Sequence, residues 1–330
     1  MTSEKRDITE IGDDVATRER LDNEKLDDVV VPFKVVRAGA RGRLVRLGGA
    51  VDEILNAHDY PDAVATFLGE AIALTALIGS ALKFDGKLIL QTKTDGPIHM
   101  LVVDYSTPGA LRAYASYDKQ AVEELGDAPL DLMRWVGEGY MALTVDQGPD
   151  MERYQGIVAL DGDTLGEVAE AYFRQSEQIP SLVRLSVAKH YAAKGDEAGE
   201  HWHWRAGGLM VQYLTREGGT EQKQDPLAEE SEDWQRARIL GASVEAHEML
   251  DPELAPERLL FRLYHEEGVR IFDIVDVEAS CTCSRERVQA MLGRFSDEER
   301  SAMVKSGEIG VNCEFCNRHY SFQPGEIGQE

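Results

Sequence analysis

Apolar positions along the chain fall into runs whose period switches between two and nearly four. Val29 to Val36 is β-branched and apolar around Pro32, and Gly42 to Leu47 resumes that character with Arg set among Leu and Val. Both stretches predict strands. Val51 to His58 changes to helical spacing, with apolar residues at Val51, Ile54 and Leu55. His58-Asp-Tyr-Pro61 ends that helix and opens the next, because proline suits a first helical turn. From Pro61 to about Leu82 the chain is rich in Ala, Leu and Ile. Its most apolar part, Ala71 to Leu82, is 12 residues long and follows Glu70. It is too short to span a bilayer and predicts a buried core helix.

The period of two then returns. Lys87 to Thr92, His99 to Tyr105 and Leu111 to Tyr117 predict strands, the first two set off by Phe84-Asp-Gly86 and Asp95-Gly-Pro97. Asp-Gly turns between apolar runs mark a β-meander. Tyr140 to Val145 and Tyr154 to Leu160 add two more strands around a Gly-Pro-Asp loop. Asp161-Gly-Asp-Thr164 opens a helix with Thr164 as N-cap and Glu167 three residues on. Leu165, Val168, Ala169 and Tyr172 share one face of that helix, which ends before Pro180. Leu182 to Tyr191 and Trp202 to Leu214 form the arms of a last hairpin, with Lys194 to Glu200 as its polar tip.

Between about Arg216 and Ser280 the pattern weakens. Glu-Gly-Gly-Thr and an acid-rich run to Asp233 have linker composition. Ala237 to Leu250 and Pro256 to Leu263 predict helices whose apolar residues are interspersed with acids. Such helices are marginal alone and need a neighbour to pack against. Uncovering that neighbour's face would expose an apolar surface.

The fold class is therefore α+β: an N-terminal domain of mostly antiparallel sheet with packed helices, a helical linker, and a small C-terminal zinc domain. The expected divisions are 1–28, an acidic disordered tail with ten acids and five bases; 29–215, the α+β domain; 216–280, the linker; and 281–330, the metal module.

The formal net charge of −25 narrows the partners. Nucleic acid is not expected, since phosphates demand a basic surface. Strong negative charge also keeps a protein soluble while it exposes apolar area. An acidic proteome or a salt-adapted host accounts for the charge equally well.

Chemistry concentrates at the C-terminus. Cys281-Thr-Cys283, 29 residues, and Cys313-Glu-Phe-Cys316 contain all four cysteines of the chain. Two close pairs joined by a loop of this length suit a tetrahedral thiolate site for zinc. Two local disulfides or four free buried thiols are the other readings. No secretory signal is apparent, so a reducing, cytoplasmic setting is expected, where static disulfides are disfavoured. The Cys-x-Cys spacing also suits oxidation, so the set reads as a structural clip or a redox switch. Asp297 to Arg300 predicts a helix start in the intervening loop, and His319 is a possible competing ligand that four thiolates make unnecessary.

Elsewhere the candidates have plainer explanations. His201 and His203 alternate on a strand, a spacing that suits a metal but equally suits cross-strand packing. Asp161 and Asp163 flank a turn glycine, and Arg41-Gly-Arg43 is too short to cradle phosphate. No catalytic constellation emerges, and an enzyme is not expected.

Taken together, Cys281-Thr-Cys-Ser-Arg-Glu-Arg287, Gly307-Glu-Ile309 and Cys313-Glu-Phe-Cys316 with Tyr320 and Phe322 resemble the 33-kDa heat-shock protein family. The likeness continues through His58-Asp-Tyr-Pro61, Leu82-Lys-Phe-Asp-Gly86, Asp95-Gly-Pro97, Tyr154-Gln-Gly156, Asp161-Gly-Asp-Thr-Leu165, Tyr172-Phe173, Ser176-Glu-Gln178 and Leu263-Tyr-His-Glu-Glu267. It runs from about residue 30 to 322. The acidic N-terminal extension and a longer loop around Lys194 to His203 depart from the pattern.

The resemblance implies a redox-regulated holdase chaperone that works without ATP. One zinc per chain sits on Cys281, Cys283, Cys313 and Cys316 in the reduced state. Oxidants convert the thiolates to two disulfides, Cys281–Cys283 and Cys313–Cys316. The metal is lost, the module and linker unfold, and the exposed surface captures unfolding client proteins. A homodimer is expected on oxidation, with no membrane or nucleic-acid partner. The alternatives are a thiol–disulfide oxidoreductase using Cys313 and Cys316, and a constitutive interaction protein with a structural zinc module.

Overall fold

The structure, a computed structural model, describes residues 6–7, 27–148, 151–191, 202–213 and 231–327. The polar hairpin tip and His201 lie outside the described residues.

Among the described residues, two large sheets sandwich one helix. The first sheet contains β1 (Arg6–Asp7), β2 (Val29–Val35), β3 (Ala40–Leu47), β9 (Ser181–Tyr191), β10 (Trp202–Tyr213) and two short strands from the linker, β11 (Val269–Ile271) and β12 (Val275–Asp276). Its order is β1-β11-β2-β3-β10-β9, with β12 also on the free side of β2. The second sheet runs β13-β6-β5-β4-β7-β8, from β4 (Lys87–Thr94), β5 (Ile98–Ser106), β6 (Ala110–Tyr117), β7 (Gly139–Asp146), β8 (Tyr154–Ala159) and β13 (Glu278–Ala279). All its pairings are antiparallel except β13 on β6. Mixed α+β architecture with antiparallel sheets is thus as the pattern predicts.

Helix α1 (Gly49–Asn56) and the apolar α2 (Asp62–Gly79) follow β3. The α2 helix is long and apolar enough to cross a membrane, yet 72% of it is buried within the protein. It packs between the two sheets and forms their common core with residues such as Val45, Leu90, Val103 and Met210. Burial on all sides explains why its apolar residues run continuously rather than in a stripe. Two short helices capped by Asp118 and Asp131, α3 (Lys119–Leu125) and α4 (Leu132–Trp135), fill a connection with no clear sequence signal. Thr164 caps α5 (Leu165–Tyr172) by accepting from the Glu167 N–H, as predicted. Glu167 itself reaches the N–H of Asp163 rather than that of the cap.

The first sheet is buried on both faces, which accounts for the unbroken valines of β2. Val30 and Val45 face α2, whereas Val29, Val31, Phe33, Val35 and Leu44 face the opposite way. That second face is covered by the linker helices α6 (Glu232–Ala242), α7 (Ala246–Leu250) and α8 (Pro256–Tyr264). Trp234, Ala237, Met249, Leu259, Leu260 and Leu263 bury themselves against the sheet. The stretch Ala237 to Leu250, expected as one helix, is broken at 243–245. Val244 turns into the core there, and a Glu245/Glu248 capping box starts α7. Two close approaches seat these helices. A Cβ on Gly207 of β10 would meet the Met249 carbonyl at 2.7 Å, and one on Gly241 would meet the Tyr264 hydroxyl at 2.5 Å.

The expected tail limit also shifts. Asp28 accepts from the N–H groups of Gly48 (2.9 Å) and Ala50 (3.0 Å) at the start of α1. Asp27 pairs with Arg205 and Arg46. Both aspartates therefore belong to the folded domain.

Candidate metal centre

The four cysteines are brought together by two local devices. Cys281-Thr-Cys283 connects β13 to α9 (Arg285–Leu292), whose N-cap Ser284 accepts from the Arg287 N–H. Arg287 also donates to the Thr282 carbonyl at 2.6 Å, which folds the Cys-x-Cys segment over the helix start. Cys313-Glu-Phe-Cys316 forms the turn between β14 (Ile309–Asn312) and β15 (His319–Phe322). The Asn317 N–H donates to the Cys313 carbonyl at 2.8 Å, and the Cys313 N–H to the Arg318 carbonyl at 3.0 Å. Asn317 takes the left-handed conformation (φ 54°), which a short polar side chain tolerates. The expected helix start in the loop is α10 (Asp297–Met303), opened by a Ser296/Glu299 capping box.

All four sulfurs lie within 4.8 Å of one another and are free thiols. Cys281 Sγ is 3.6 Å from Cys313 Sγ, and Cys283 Sγ is 3.3 Å from Cys316 Sγ. A tetrahedral ion with metal–sulfur bonds of about 2.3 Å needs sulfurs about 3.8 Å apart, so the set fits zinc. His319 stands aside, its Nδ1 on Asn312 Oδ1 at 2.5 Å. His203 is likewise accounted for, its Nδ1 3.1 Å from Asp52 Oδ2.

The electrostatics call for a cation. Burial pushes the Cys316 thiol up to about 12 and raises Cys281 as well. Burial also acts on Cys283, but hydrogen bonds from the Tyr320 hydroxyl (3.2 Å) and the other thiols outweigh it and hold Cys283 at about 7. Cys283 thus ionises near neutrality unaided. Four thiolates at this spacing repel one another strongly, and a divalent ion bound to all four offsets that repulsion.

Sequence reasoning missed how the module is docked. The Glu278 N–H donates to the Gly109 carbonyl (3.0 Å) and the Ser280 N–H to the Leu111 carbonyl (2.8 Å), so the sheet ends one residue before Cys281. Arg112 on β6 is held by Asp104 (Nε to Oδ2, 2.8 Å) and donates to Thr282 Oγ1 at 3.1 Å. Its guanidinium lies 4.1 Å from the centre of the Phe315 ring. His58 Nε2 donates to the Glu314 carbonyl at 2.8 Å. Thr282, Glu314 and Phe315 are the residues between the paired cysteines, so the neighbouring domain grips the ligand loops themselves. Cys281 and Cys316 line a cavity of about 460 Å³ between this sheet, α1 and the module. Arg112 and Phe315 are 203 positions apart, and no sequence period connects them.

The chain is similar to known proteins along most of its length. The 33 kDa chaperonin of Caulobacter vibrioides is 42% identical over 302 residues, covering 91% of this chain and 96% of that protein. The 33 kDa chaperonin of Escherichia coli is 34% identical over 290 residues, covering 88% and 90%. The crystal structure of the 33 kDa chaperonin from Thermotoga maritima superposes with a TM-score of 0.71 over 91% of this chain and 96% of that one, at 24% identity. It shares the fold. A family model described as Hsp33 protein matches residues 28–323, and with these relatives the match shows that the chain belongs to the Hsp33 family.

Proposed function

We propose that the protein is an ATP-independent holdase chaperone switched on by oxidation of its four cysteines. The observation that carries this reading is an apolar sheet face covered by linker helices whose chain runs directly into the four-thiol cluster. In the reduced state Cys281, Cys283, Cys313 and Cys316 hold one zinc ion. The ion supplies neutralisation of the thiolates and about 10–16 kcal/mol of folding free energy, the range seen for small cysteine modules. The module's own core is Leu292, Ile309, Tyr320, Phe322 and Ile327, too few to fold it unaided.

Oxidation pairs Cys281 with Cys283 and Cys313 with Cys316. As each S–S bond forms, its two thiols give up two electrons and two protons to one oxidant, which is reduced from hypochlorous acid to chloride and water or from peroxide to two waters. In the reduced cluster Cys281 and Cys283 approach Cys313 and Cys316 across the pairs, at 3.6 and 3.3 Å. Once the module opens, pairing follows chain proximity. Without its ligands the module unfolds, the ligand loops release Arg112 and His58, and the linker loses its anchor. The face of Val29, Val31, Phe33, Leu44, Leu209 and Val211 then takes up apolar segments of unfolding proteins. A homodimer of the oxidised form and a thiol-reducing compartment belong to the same reading.

One titration tests it. Hypochlorous acid is added to reduced, zinc-loaded protein while released metal is followed with a chromogenic chelator and client aggregation by light scattering. Zinc released in step with rising suppression is the expected outcome. Zinc released without suppression would leave a structural zinc module. Turnover of a small disulfide substrate would instead favour an oxidoreductase.

A further inference from the structure

The sheet face beneath the linker is not purely apolar. It carries two buried guanidiniums, Arg46 on β3 and Arg205 on β10. Arg46 donates to the carbonyls of Asp251 and Leu254. Arg205 Nε donates to the Leu250 carbonyl at 2.7 Å. All three acceptors belong to one short linker segment, from the last residue of α7 to the start of α8. The linker also sets the carboxylates of Asp251 and Glu257 close enough to act on Arg46. On the sheet's own side, among the described residues, the ion-pair partner of both is Asp27. Asp27 Oδ1 lies 2.5 Å from Arg205 Nη2 and 3.6 Å from Arg46 Nη2.

Removing the linker therefore leaves two cations against one carboxylate at the end of an apolar face. The freed guanidiniums lose three carbonyl acceptors and two nearby acids, and buried donors of this kind demand replacement partners. The linker segment itself displays the chemistry that satisfies them: apolar Met249, Leu259 and Leu260 around acidic Asp251 and Glu257.

Resting on the holdase reading above, we infer that the uncovered face selects client segments in which apolar residues flank carboxylates, read by Arg46 and Arg205. The linker occupies the face as a built-in mimic of such a segment. A chain of net charge −25 otherwise repels acidic peptides, so a preference for them is diagnostic.

The test uses the full chain and two fluorescein-labelled peptides with identical apolar residues, one carrying two glutamates and the other two glutamines. Anisotropy titrations of the oxidised protein are expected to show the glutamate peptide bound about tenfold tighter, the scale of one charge-assisted hydrogen bond. The preference disappears in the R46Q/R205Q variant, and the reduced, zinc-loaded protein shows none. Salt tests the point on the unsubstituted protein, independently of how the variant folds. A tenfold rise in ionic strength shortens the screening length about threefold and shrinks the preference. Equal affinities, a preference for the glutamine peptide, indifference to salt, or a preference retained in folded R46Q/R205Q would each overturn the inference. Equal affinities with normal suppression of aggregation leave the holdase reading standing. Binding of neither peptide together with no suppression removes both.

Discussion

Gly207→Ala isolates the linker from the metal. The substitution adds one methyl group on the face of β10 that meets α7, far in sequence from any cysteine. That methyl would sit 2.7 Å from the Met249 carbonyl oxygen, 2.9 Å from its Cβ and 3.2 Å from its carbonyl carbon. Two of these neighbours are backbone, so α7 must retreat by about 0.7 Å to regain ordinary contact, carrying Met249 out of its place in the core. Overpacking of this kind costs about 1–3 kcal/mol. The cost falls on linker docking rather than on the strand, since β10 is held by full ladders to β3 and β9. Alanine in a strand even favours folding by about 0.4–1 kcal/mol through the unfolded chain. A shift of 1–3 kcal/mol in the docked–undocked equilibrium is roughly a 5- to 150-fold rise in the undocked population. Limited proteolysis of the linker in reduced, zinc-loaded protein reads that population when reclosing outpaces cleavage. The variant is expected to keep its zinc, to be cut faster by that factor, and to suppress aggregation before oxidant is added. A variant that keeps its zinc with unchanged cleavage and no basal suppression would refute the view that linker docking masks the client face.

Three other outcomes test separate parts of the structure. Cys281→Ser leaves three sulfurs and should lower metal content and expose the module to protease even under reducing conditions; normal zinc and unchanged resistance would count against the four-thiolate site. Phe315→Ala removes the ring under Arg112 while leaving every sulfur in place, at a docking cost of about 0.5–2 kcal/mol. It should retain zinc when reduced yet release it at lower oxidant concentrations in the chelator assay, and an unchanged release curve would show that the contact carries no docking energy. Burial pushes the Glu70 carboxyl on α2 up to about 7. Its protonated form is favoured by the fold, so this contribution is present below about pH 4.5 and is lost as pH rises through 7. Glu70→Gln should flatten the dependence of thermal stability on pH across that window, and an unaltered profile would place the titration elsewhere.

What the sequence made legible follows from what was local. The Asp-Gly turns, the Thr164 cap and the continuous apolar run of α2 are each decided within a few residues, and each appears in the structure. The cysteine spacing was legible for the same reason, since each pair closes on its own short turn. The interruption of the linker helices at 243–245 was not, because Glu245 is a weaker N-cap signal than serine or threonine. Strands β11, β12 and β13 are two or three residues long and owe their existence to partners far away in the chain. Arg46 and Arg205 were the hardest to place. A charge in an apolar strand reads as a solvent-facing position, and only burial of the sheet on both sides turns these arginines inward. Asp27 was hidden for the opposite reason, since the composition of residues 1–28 as a whole conceals its last two members.

The same local-versus-distant division explains how a change at four sulfurs can reach a surface formed by strands at the other end of the chain. The metal module holds few apolar residues of its own, so its fold depends on the ligand set. The linker helices bury apolar side chains but also cover the sheet's own Arg46 and Arg205, paired with Asp27, charges that water would serve as well. Arg46 Nε has no hydrogen-bond acceptor in that layer, and Glu267 Oε2, just past the end of α8, has no donor. Docking of the linker is thus opposed at both ends by desolvated polar atoms and favoured in the middle by apolar contact. An interface balanced in this way can be tipped by losing one further restraint. That restraint is at hand: the β13–β6 pairing and the Arg112–Phe315 contact fix the chain where the linker ends and the ligand loops begin. In the proposed switch, opening of the module would remove the Phe315 contact and leave the linker's C-terminal end on short pairings alone, β13 on β6 and β11 and β12 on β2, each two or three residues long and prone to fray. If the protein is switched as proposed, the sensitivity of that switch lies in the marginal docking of the linker as much as in the chemistry of the thiols.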